Sequence, residues 1–126
     1  MSRPRKCRKV CCLPRCNLFV PEHEPRENMK IVILAVDEYE TIRLIDYQGF
    51  SQEECSKYMN VSRTTVQQIY TSARRKIAKA LVTGSALHIQ GGDYQLCSEE
   101  ERRQCNHEGC PKRRCYWDIK EENKEE

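Results

Sequence analysis

The sequence predicts a mainly α fold with a small β element: three helices, a β-hairpin and cysteine-rich ends. Three observations predict it. Two stretches carry a cap-and-reach pattern, Asp37 with Glu40 and Ser51 with Glu54, in which each side chain satisfies a free N–H of the helix start. Apolar residues recur at helical spacing from Val66 to Leu81. Two short β-rich runs, residues 29–34 and "ALHIQGGDYQL", flank the helices.

Residues 1–28 are basic, cysteine-containing and punctuated by proline, which predicts an extended arm or a small metal-pinned loop. Residues 29–34 form an apolar strand. The first helix is expected from its cap Asp37, with Tyr39, Ile42 and Ile45 on one face and Gly49 as its stop. The second opens at Ser51 and turns Cys55, Tyr58 and Met59 inward. Asn60 follows where the chain must bend, and asparagine tolerates the left-handed conformation. Ser62 caps the third helix, which buries Val66, Ile69, Ala73, Ile77 and Leu81, reaches Val82 and stops at Gly84. Leu87 and Ile89 alternate, Gly91-Gly92 turns, and Tyr94 and Leu96 alternate again, a hairpin pattern. Residues 29–96 thus read as a helical domain with flanking strands, 97–117 as a Cys/His-rich segment and 118–126 as a charged tail.

Composition bounds what such a chain does. Of 126 residues, 33% are charged and 38% apolar, so the core is small. The longest apolar run, residues 31–36, falls far short of the roughly 20 residues that span a bilayer. No apolar signal core follows the basic N-terminus, so the cytoplasm is the expected compartment. There, nine cysteines read as metal ligands or redox groups rather than disulfides. Residues 1–16 hold six basic side chains and no acid, residues 35–50 are net acidic, and residues 51–82 are basic again. Such blocks suit a polyanion-binding face, or two solvated faces.

The second and third predicted helices, with a tight turn between them, form a helix-turn-helix pattern. Ser56, Asn60, Val66 and Ile69 supply the small contact residue, the turn and the inner face. The outer face then begins with Arg63, Thr64, Thr65, Gln67 and Gln68, whose side chains can hydrogen-bond base edges. Arg74, Arg75 and Lys79 lie further along, where phosphates would be reached. Arg3 and Arg5 in "RPRK" suit a minor groove or a solvated arm equally well.

"SQEECSKYMNVSRTTVQQIYTSARRKIAKAL" resembles the helix-turn-helix of the fourth region of bacterial primary sigma factors. Together, "RPRKCRKVCCLP", "VDEYETIRLID", "SQEE" and "ALHIQGG" resemble a small, largely uncharacterised prokaryotic family of predicted DNA-binding proteins, over about residues 3–96. The resemblance implies a sigma-like helix-turn-helix fold and double-stranded DNA as partner, and it names no ligand or regulon.

The cysteines divide. Cys55 sits at a core position of the second helix. Cys105, His107, Cys110 and Cys115 are the favoured metal set, with Cys97 as substitute and Cys7, Cys11, Cys12 and Cys16 as a weaker second group. Thiolate and imidazole at short spacing suit zinc, and four thiolates suit an iron–sulfur cluster. Reduced surface cysteines or a redox pair remain the plainer alternative. Nothing resembles a nucleophile elbow, a zinc-protease helix or a phosphate loop, so no enzyme is expected. The expectation is a DNA-binding transcriptional regulator, with RNA polymerase or a second copy as further partners. Its rivals are an RNA-binding zinc protein and a metal or redox sensor whose helices dock another protein.

Overall fold

The computed structural model describes residues 8–11 and 13–96. Its elements run β1 (Arg8–Val10), β2 (Leu18–Phe19), a 3-10 turn (Arg26–Asn28), β3 (Ile31–Leu34), α1 (Val36–Thr41), a π-helical turn (Ile42–Tyr47), α2 (Gln52–Met59), α3 (Arg63–Thr83), β4 (Ala86–Ile89) and β5 (Tyr94–Leu96). The expectation of three helices and a small β element holds at this level.

The first helix is capped two residues earlier than expected. Ala35 is the N-cap, and Glu38 rather than Glu40 reaches back, its Oε1 accepting the Ala35 N–H at 2.8 Å. Alanine has no side-chain acceptor, so this cap works in one direction only. Asp37 instead accepts the Glu38 N–H at 3.0 Å and faces Arg8 at 3.8 Å. The helix widens into the π-helical turn as Arg43 and Leu44 become buried, with Gln48 N–H bonding Arg43 O at 2.9 Å.

Ser51 and Glu54 form the expected reciprocal box on α2, at 3.1 and 2.9 Å. Asn60 takes φ 60 and ψ 46, so α2 ends where the left-handed cap is expected. Val61 N–H closes onto Ser56 O at 3.0 Å, and Ser56 is buried. Ser62 caps α3 through the Thr65 N–H at 3.1 Å, and Gly84 ends it.

Two correctives concern the C-terminal half. Leu81, expected inside, is 77% exposed, and Ala80 is buried in its place. Ala80 stands seven residues on from Ala73 and so on the same buried line of α3, whereas Leu81 lies roughly 100° round the helix from it. The expected hairpin does not form either. β4 pairs in parallel with β3 and antiparallel with β2, whereas β5 pairs in parallel with β1. Gly91-Gly92 therefore passes the chain from one sheet to the other. Gly92, at φ +94, lies so close to α1 that an added Cβ would stand 2.8 Å from Ala35 Cβ and from Asp37 Oδ1. The expected strand over 29–34 starts at Ile31, because Met29 N–H closes the preceding 3-10 turn onto Arg26 O. The N-terminal stretch, expected as an arm or loop, supplies β1 and β2 to these sheets, and Val10 is fully buried.

Two apolar clusters result. Val10, Leu34, Val36, Ala73 and Ile89 join both sheets to α1 and α3. Leu44, Cys55, Met59 and Val66 join the π-helical turn to α2 and the start of α3. Each large side chain so buried contributes about 1.5–3 kcal/mol. α3 is anchored by both clusters, which fixes the direction of its remaining face.

Candidate functional site

The outward face of α3 is an organised polar surface. Its first turn is held by Ser62, whose hydroxyl lies 2.9 Å from that of Thr65 as well as accepting its N–H. Thr65 is thus half-buried and occupied by the cap, not presented outward as expected. Thr64, Gln67, Gln68, Thr71, Ser72, Arg75 and Lys76 line one open concavity of about 620 Å³. They recur at intervals of three and four residues, which places them on one stripe of the helix. The opposite side buries Val66, Ile69 and Ala73.

Two members of the stripe are already engaged. The Ser72 hydroxyl and Lys76 ammonium donate to Glu38 at 2.6 and 2.9 Å. That leaves Thr64, Gln67, Gln68, Thr71 and Arg75, with Lys79 exposed beyond them. Such a surface offers amide and hydroxyl donors and acceptors first, then positive charge.

Arg63 is exposed at the first position of α3, on the flank it shares with Tyr70 and Arg74. Arg74 lies 3.5 Å from Asp46 and stacks 5.4 Å from the Tyr70 ring centroid. The Tyr70 hydroxyl donates to Asp46 at 2.6 Å. Burial first, then this bond to a carboxylate, raises the Tyr70 hydroxyl above its ordinary range. Arg74 therefore shares its charge with Asp46, whereas Arg75 does not. Sequence reasoning missed Thr71, although its spacing from Gln67 and Gln68 marks it. It also missed Asp46, whose partner lies 24 residues away.

Of the other expected site residues, Arg3, Arg5, Cys7, Cys12, Cys97, Cys105, His107, Cys110 and Cys115 lie outside the described residues. Cys11 is buried, and its N–H donates to Glu40 at 3.3 Å. Cys16 is exposed, and its thiol donates to Leu18 O at 3.2 Å. Cys55 is in the core, as expected, with its thiol 3.6 Å from the Met59 sulfur. Among the described residues, no three His, Cys, Asp or Glu side chains group as metal ligands would.

Fold and surface together define a small, mainly helical protein whose longest helix is buried on one side and polar on the other. Residues 1–97 match the family described as "Protein of unknown function DUF134", and the chain belongs to that family. It is 55% identical to the UPF0251 protein of Desulfitobacterium hafniense (strain Y51) over 114 residues, 90% of each chain. It is 44% identical to the UPF0251 protein of Thermoanaerobacter pseudethanolicus over 117 residues, 93% of this chain and 97% of that one. No solved structure matches it. Among the described residues, no helix is long and apolar enough to cross a membrane.

Proposed function

We propose that the protein binds double-stranded DNA through a helix-turn-helix formed by α2 and α3, and that it regulates transcription. One observation carries the reading: Thr64, Gln67, Gln68, Thr71 and Arg75 share a single open face of a helix whose other face is buried. Glutamine pairs in two places with adenine, threonine contacts the thymine methyl, and each good bidentate contact discriminates by about 1–3 kcal/mol. The Asn60 turn and the Ser62 cap orient the N-terminal turns of α3, the part that enters a major groove in this class of motif. Arg75 then faces the phosphates.

Zinc on Cys105, His107, Cys110 and Cys115, or an iron–sulfur cluster on four thiolates, belongs to the same proposal as the holder of the C-terminal segment. That segment has few aliphatic residues with which to order itself against backbone entropy of about 1–2 kcal/mol per residue.

The test is selection of bound duplexes from a random pool by the purified full chain. The expected result is an enriched motif that Gln67→Ala and Gln68→Ala broaden. A pool that stays random, or one that enriches structured RNA over duplex DNA in competition, overturns the reading.

A further inference from the structure

The face of α3 changes character along its length. Hydrogen-bonding residues occupy its first turns, Arg75 and Lys79 its middle, and Ala78, Leu81 and Val82 its end. Leu81 and Val82 are 77% and 84% exposed, although both are large and apolar. Beside this ridge runs a groove of about 410 Å³, lined by Phe19 and Pro21 from the β2 side, Ile77 and Leu81 of α3, and Leu87 of β4. Phe19 and Val20 are also about half exposed. A ridge and a hollow of like chemistry thus lie side by side on one molecule.

We infer that this surface is a two-fold interface, in which the Leu81–Val82 ridge of one copy enters the groove beside Phe19 of a second copy. A two-fold contact needs a self-complementary patch, in which each partner supplies both the projection and the recess. The surface is of the right kind as well. Phe19, Val20, Leu81 and Val82 are each 45% to 84% exposed, and the buried centre of an interface that covers roughly 800 Å² per partner is made of such apolar side chains. Large apolar side chains exposed together on a lone soluble chain ordinarily mark an interaction site. The rims agree in charge. Glu22 and Glu24 are exposed just past Pro21 on the groove side, and Lys79 is exposed one turn before Val82 on the ridge side. Docking ridge into groove brings unlike charges together at both rims.

The inference goes beyond the DNA reading and does not need it, because the surface lies at the other end of α3. Light scattering or sedimentation of the full chain at micromolar concentrations tests it. The expected mass is twice 14.9 kDa. Leu81→Lys with Val82→Glu should give a monomer of unchanged helicity, since both side chains already face water, while Arg75→Ala should remain dimeric. A monomeric wild type overturns the inference, including the case where the groove takes the chain's own C-terminal segment or another protein. A dimer that survives the double substitution also overturns it. Monomeric protein that still binds duplex would sink this inference alone, and dimeric protein that binds no duplex would sink the DNA reading alone.

Discussion

Glu38, in the first turn of α1, accepts a hydrogen bond from Lys76 of α3 at 2.9 Å. The same carboxylate takes the Ser72 hydroxyl at 2.6 Å and the Ala35 N–H at 2.8 Å. One side chain therefore caps a helix and fastens it to the middle of α3. Glu38→Ala removes all three bonds and should cost about 2–4 kcal/mol, a cap and two cross-helix bonds at about 1 kcal/mol or more each. Lys76 is 37% exposed and can turn to water, so Lys76→Ala should cost less than about 1 kcal/mol. Urea unfolding of the two variants checks the order; equal losses would show that the ion pair, not the cap and the hydroxyl, dominates.

A second carboxylate is fully enclosed. Glu40 is 0% exposed and pairs with Arg43 through two contacts of 3.0 Å, while also accepting the Cys11 N–H. Burial alone would lower the Arg43 guanidinium; the Glu40 hydrogen bonds and charge outweigh it and hold the group above its ordinary value. Glu40→Leu leaves that cation buried and unpaired, which should cost about 3–5 kcal/mol. Arg43→Met added to Glu40→Leu should recover most of the loss, because paired charges in a core are often replaceable by apolar side chains. Additive losses in the double variant, read from urea midpoints, would argue against the account.

The parts of the fold legible in the sequence are those decided locally. Ser51 with Glu54, Ser62 and Gly84 each act within a turn or so of where they stand, and the structure has all of them in place. Asn60 belongs with them. The misread parts depend on distant partners. Gly91-Gly92 looks like a hairpin turn, yet β5 pairs with Arg8–Val10, more than eighty residues earlier. Leu81 continues the spacing of Val66, Ile69 and Ala73, but the pattern does not say whether it or Ala80, roughly 100° away round the helix, turns to the core. The candidate site divides in the same way. Gln67 and Gln68 are readable from one helix, whereas the claims of Asp46 on Arg74 and of Glu38 on Lys76 come from other elements.

At the junction between the sheets, Gly92 runs close against the start of α1. Gly92→Ala must fit a Cβ against Ala35 and Asp37 while holding φ at +94, and should cost well over about 1 kcal/mol. Gly91→Ala has open space and only the positive φ to bear, so about 1 kcal/mol is expected. Thermal unfolding of the pair measures the difference, and similar midpoints would mean that α1 yields easily.

Asp37 gives a pH signature. Burial raises its carboxyl above the ordinary 3.8, and Arg8 and the Glu38 N–H only partly oppose this. The folded state therefore holds this proton more tightly than the unfolded state. The group's stabilising contribution is present below the ordinary value and is lost as pH rises through the folded one. Asp37→Asn keeps an acceptor for the Glu38 N–H and removes the titration. The difference in urea stability, variant minus wild type, should increase as pH rises above the ordinary carboxylate value. A difference that falls over that range would mean that Arg8, not burial, sets the balance.

Arg74 and Arg75 are neighbours in sequence with different expected roles in DNA binding. Arg75 belongs to the open stripe with Gln67, Gln68 and Thr71. Arg74 stands on the flank, stacked on Tyr70 and 3.5 Å from Asp46, which offsets part of its charge. If the stripe meets the duplex, Arg75→Ala should weaken binding to all sequences and reduce the slope of log affinity against log salt by about 1. Arg74→Ala should change the slope by clearly less. Asp46→Asn removes a negative charge from the flank and releases Arg74, so binding should tighten and the slope should steepen. Fluorescence anisotropy on one selected duplex across a salt series gives all three values. If Arg74→Ala flattens the slope more than Arg75→Ala, the flank rather than the stripe faces the phosphates, and the orientation of α3 in the groove must be turned accordingly.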